Sequence, residues 1–161
     1  MGMYTGLRFK GIVKPEYRNM IVEIMKEYTD EGWEKFVGEF PFLTEFASLS
    51  RCNMIPWGSL CYMPDSWEDD SIQTEGFKRH FDPETGYWSF QCSLKNYSGE
   101  IACFLNEVVP VIIEESQHIE YLYEEWYESI LAELKDGAVV RTGHLQYEYA
   151  PDSFHWAQII E

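Results

Sequence analysis

Positive charge is scarce in this chain: among its 161 residues, 12 lysines and arginines face 28 aspartates and glutamates, a formal net charge of -16. A field of that sign repels nucleic acid and anionic membranes and attracts basic protein surfaces, at a rate that depends on salt. Direct binding of DNA or RNA is therefore disfavoured. Long apolar runs are missing too, and no stretch approaches the roughly 18 residues that a membrane-spanning helix needs. The opening MGMYTG has Gly6 where a myristoylation motif wants Ser or Thr. No membrane partner is expected, and without a signal peptide the protein is expected in the cytoplasm.

The four cysteines, Cys52, Cys61, Cys92 and Cys103, show no CxxC spacing and sit among apolar neighbours, which suits reduced, buried thiols. A zinc site built from them is not expected. The scattered glycines form neither a P-loop nor a dinucleotide fingerprint, and no serine stands in a GxSxG elbow. The stretch DSWEDD, with Asp65, Glu68, Asp69 and Asp70, lacks the glycine and ligand spacing of an EF-hand loop. HFD at His80 to Asp82 matches no zinc motif. Neither a cofactor nor a resident metal is expected, and no catalytic residue is assigned. A pair of carboxylates for acid-base work remains open, because pairing in space is invisible in a sequence.

What the chain does have is a globular composition, 45% hydrophobic and 17% aromatic, enough for a real core at this length. GLRFKGIVK alternates Leu7, Phe9 and Val13 with Arg8 and Lys10, the pattern of a half-buried strand. Pro15 then opens an amphipathic helix carrying Met20, Ile21 and Ile24. Trp33 to Leu49 reads as one helix kinked at Pro41 or as two short ones. IPWGSLCYMP reads as a short strand between Pro56 and Pro64, and residues 65–86 as a long polar loop. YWSFQCSL is the clearest strand, with Trp88, Phe90, Cys92 and Leu94 on one side. Ser98 is placed to cap a helix that Pro110 bends or ends.

Charge is unevenly spread. Up to Asn96 there are 15 acidic and 10 basic residues; from Tyr97 onward, 13 acidic and 2 basic. The densest piece is HIEYLYEEWYESILAEL, His118 to Leu134, which fits a helical stripe and a strand alternation equally well. As a helix it would stack Glu120, Glu124 and Glu128 at i,i+4 with no lysine in reach. On a strand the same three lie ~13 Å apart, beyond a physiological Debye length. Ile and Tyr are strand formers, and a three-residue KDG loop with Gly137 in the left-handed position would close a hairpin. Gly137 would also cap a helix. The strand reading is the expectation, with residues 117–149 an acidic strand region. The whole is then one α+β domain over 1–161, a mostly antiparallel sheet with two to three helices packed on one face.

For function, the residues left over are acidic and aromatic. The bland reading is that the charge only keeps the protein soluble and the rings only fill the core. The sharper one takes Glu120, Glu124, Glu125, Trp126 and Glu128, with the Asp65 to Asp70 cluster, as a docking surface. Carboxylates steer a basic partner, and Trp and Tyr supply contact area at low entropy cost. The expected function is a non-enzymatic module that binds and blocks a basic protein surface, such as that of a nuclease or other nucleic-acid-binding enzyme. In character this is similar to phage antagonists of host defence and to immunity proteins, with no motif shared. A small enzyme or ligand-binding protein with a pocket between sheet and helices is the alternative, and self-association through the aromatic surface is a third reading.

Overall fold

A computed structural model of the chain describes residues 3–64, 67, 77–147 and 157–159. Among these residues seven strands form one sheet in the order β2-β3-β1-β4-β5-β6-β7, every neighbouring pair antiparallel. They are β1 (Thr5–Val13), β2 (His80–Phe81), β3 (Tyr87–Leu94), β4 (Ile113–Tyr123), β5 (Glu128–Lys135), β6 (Ala138–Tyr147) and β7 (Ala157–Ile159). This is the expected α+β class, and the ambiguous stretch from His118 is strand on both sides of a turn.

One face of the sheet carries the main core. Leu7, Phe9 and Val13 of β1, the four alternating apolar residues of β3, and Ile119 of β4 meet the helices there. Helix α1 (Arg18–Lys26) buries Met20, Ile21 and Ile24. The segment after it forms 3-10 turns at Gly32–Phe36 and Pro41–Leu43 and a short helix α2 (Thr44–Ala47), the two-piece version of the proline-interrupted pattern. Residues 100–112 are continuously helical, with a wide π turn at Phe104–Val108 directly before Pro110. Proline there has no N–H to give an i→i−4 bond, so the helix widens instead of stopping. Trp33, Phe46, Trp88, Phe9, Phe90 and Phe104 nest at ring centroid separations of 4.9 to 6.5 Å. Edge-on and tilted contacts of this kind add to the area they bury.

Five local expectations need correction. Residues 55–64 are not a strand: Met54–Trp57 is a short helical segment kinked at the cis Ile55-Pro56 bond, followed by irregular chain. Pro56 and Pro64 offer no N–H to a ladder, and Ser93 of β3 instead bonds the carbonyl of Ser59. The expected polar loop 65–86 contains β2 and two buried rings, Trp67 and Phe77. Ser98 is not the helix cap; Asn96 Oδ1 accepts from Ile101 N, and Glu100 Oε1 accepts from Ser98 N. The β5-β6 hairpin turns on two residues rather than three, Asp136 (φ 52°) and Gly137 (φ 80°), between the paired Lys135 and Ala138. Two successive left-handed residues give a type I′ turn, whose twist matches that of the strands it joins, and Asp-Gly is a favoured sequence for it.

β1 is not half-buried. Gly6, Arg8 and Lys10 point to the sheet's second face, where Met63, Trp67 and Leu122 form a smaller apolar layer. A Cβ on Gly6 would stand 2.6 Å from the Trp67 ring, so only glycine lets that layer lie against the strand.

Candidate functional site

The second face holds a buried charge system. Arg8, only 5% exposed, sits opposite the fully buried Glu120 in the β1-β4 register. Its guanidinium lies 3.7 Å from Glu120 Oε1 and donates to Gln91 Oε1 at 3.0 Å. Trp67 and Phe77 cover it, with their rings 4.4 and 4.6 Å from its Cζ. His118 Nε2 donates to Glu120 Oε1 at 3.0 Å and Ser129 Oγ donates to Oε2 at 2.6 Å. Burial opposes ionisation of Glu120, but the His118 bond, the Arg8 charge and the Ser129 bond outweigh it and hold the carboxyl below its usual range. The system ties β1, β4, β5 and the covering segment together. Glu120 was expected on a partner-binding surface; its carboxylate is instead spent inside the protein.

The acidic stretch is therefore divided. β4 ends at Tyr123 and the chain turns at residues 124–127, so Glu120, Glu124 and Glu128 do not share a face as a single long strand would require. Glu124 clasps the start of β1: its N–H donates to Tyr4 O at 2.9 Å, and its carboxylate accepts from Tyr4 N. Tyr123 packs edge-on against Trp126 at 5.8 Å. Burial, reinforced by the charges of Glu125 and Glu124, pushes its phenol pKa up.

The turn and the strands after it do bring Glu125, Trp126 and Glu128 together. Trp126 is 39% exposed and Tyr127 58%. With Ile130 of β5 and Arg141, His144 and Gln146 of β6 they line an open cleft of about 610 Å³. By register Glu128 and Ile130 lie on the core-bearing face of β5, but no helical residue lines the cleft among the described residues. Among the described residues the only cation in its lining, Arg141, donates to His144 Nε2 at 3.0 Å. Asp65, Glu68, Asp69 and Asp70, the rest of the expected surface, lie outside the described residues.

No family model, curated protein sequence or solved structure matches this chain. The chemistry must be read from the molecule. Burial pushes Cys92 up to about 12 and Cys52 and Cys103 up to about 11, so at neutral pH they are thiols rather than nucleophilic thiolates. Among the described residues no three His, Cys, Asp or Glu side chains are grouped to hold a metal ion. No helix among them is long and apolar enough to cross a membrane.

Sequence reasoning missed Arg8 and His118 as partners of Glu120. A signal existed for Arg8, a charged residue in the middle of the most apolar N-terminal strand. Nothing in the sequence pointed to its pairing across 112 residues.

Proposed function

We propose that the protein is an acidic, non-enzymatic interaction module that binds and blocks a basic surface of a partner protein, a nuclease or other nucleic-acid-binding enzyme being the partner of matching chemistry. The observation that supports this reading is the exposed Trp126-Tyr127 pair flanked by Glu125 and Glu128 at the mouth of an open cleft. Exposed aromatic rings beside carboxylates suit a partner arginine or lysine, which can lie on a ring while its head group meets a carboxylate. The net charge of -16 adds long-range attraction and speeds encounter.

The test is capture from the source cell at low and high salt, followed by binding kinetics with the purified partner. The reading expects a basic protein whose association rate falls as salt rises. Glu125→Lys/Glu128→Lys should slow association, and Trp126→Ala/Tyr127→Ala should speed dissociation. Unchanged binding by both folded variants would remove this surface from the interface.

A further inference from the structure

A second cleft of about 580 Å³ opens between the start of β1, the end of β3 and the segments after α1 and α2. In a chain with 28 carboxylates it gathers two cations, Arg51 and Lys95, and neither is in an ion pair among the described residues. Each is held near a tyrosine instead, Arg51 at 5.3 Å from the Tyr97 ring and Lys95 at 5.9 Å from the Tyr4 ring. Asp30 is the one carboxylate in the lining among the described residues.

The walls are cross-braced. Asn53 Nδ2 donates to Asp30 O at 2.7 Å, and its Oδ1 accepts from Trp33 N at 3.0 Å. Buried Glu100 accepts from the backbone N–H of Arg51 and of Ser98, each at 3.1 Å, fixing the Arg51 segment against the chain that follows Lys95. Ser93 Oγ donates to the Ser59 and Cys61 carbonyls. Tyr4 and Tyr28 add aromatic surface to the lining, and Tyr62 packs on Tyr4 at 5.5 Å between centroids. A braced concave site with a few convergent polar groups is the usual form of a small-ligand pocket.

We infer that this cleft binds a small phosphorylated ligand with a planar ring, of the mononucleotide class. The phosphate would meet Arg51 and Lys95, the ring would stack on tyrosine, and Asp30 would take a ligand hydroxyl or amine. The inference is independent of the proposed protein partner, since the two clefts share no residue.

Titration of the purified full chain with AMP, UMP and inorganic phosphate, followed by amide NMR shifts and calorimetry, tests it. Saturable nucleotide binding is expected, with shifts at residues 28–30, 51–54 and 93–95. Arg51→Gln/Lys95→Gln should weaken it by about 10- to 100-fold, the loss of charge-assisted bonds, with the urea midpoint confirming the fold. Tyr28→Ala should weaken AMP but not phosphate. No saturation by about 10 mM nucleotide, shifts that map elsewhere in the wild-type protein, or phosphate binding as tightly as AMP would each overturn the assignment.

Discussion

Replacing Glu120 by alanine removes the carboxylate to which Arg8, His118 and Ser129 converge. Removing one partner of a buried ion pair costs about 3–5 kcal/mol, because the other charge stays desolvated. Arg8 would still keep Gln91 and the faces of Trp67 and Phe77, which places the expected loss near the lower end, about 3 kcal/mol. With a urea slope of about 2 kcal/mol/M the midpoint should fall by about 1.5 M. Glu120→Gln keeps an acceptor for Ser129 and should cost less. Acid provides a second readout. The folded carboxyl is held below its unfolded value of about 4.3. Its contribution is therefore complete above that value and is lost as pH falls through the folded value. The stability gap between wild type and Glu120→Gln should narrow from about pH 5 downward. A cost for Glu120→Ala below about 1 kcal/mol, or a gap that widens in acid, would refute the buried-pair account. The same geometry decides how the docking surface must be probed: charge reversal at Glu120 would disrupt the fold, so Glu125 and Glu128 carry the test.

Other outcomes can be checked alongside. Trp126→Ala and Tyr127→Ala should each leave urea stability within about 0.5 kcal/mol, as exposed sites do, so that any loss of partner binding is a surface effect. Gly6→Ala should cost about 1–3 kcal/mol by overpacking against Met63 and Trp67, and faster exchange or quenching at Trp67 would show that the covering layer has lifted. Gly137→Ala, at φ 80°, should lower stability by about 1 kcal/mol, read as a shift in thermal midpoint. Alkylation at pH 8 should reach Cys92, with its pKa pushed to about 12, only at the rate of unfolding; rapid labelling in the native state would contradict its burial.

Local pattern determined the strands with strict alternation. Leu7, Phe9 and Val13, and Trp88 to Leu94, could bury one face only by standing on a pleated sheet, and they do. The Met20, Ile21 and Ile24 spacing likewise defined α1, and Asp136-Gly137 marked the hairpin, though a residue shorter than the KDG loop suggested. The acidic stretch was legible as strand but not as two strands, since the turn at 124–127 carries neither glycine nor proline. Its function-bearing detail was decided by long-range pairing. Glu120 and Glu128 have the same sequence signature, yet one lies in register with Arg8 of β1 and is buried, while the other lines an open cleft. Period-2 alternation says which residues share a face; it does not say what covers that face. Only the tertiary structure places Trp67 and Phe77 over Arg8 and leaves Trp126 and Tyr127 exposed, because burial of a charge depends on partners brought in from distant parts of the chain.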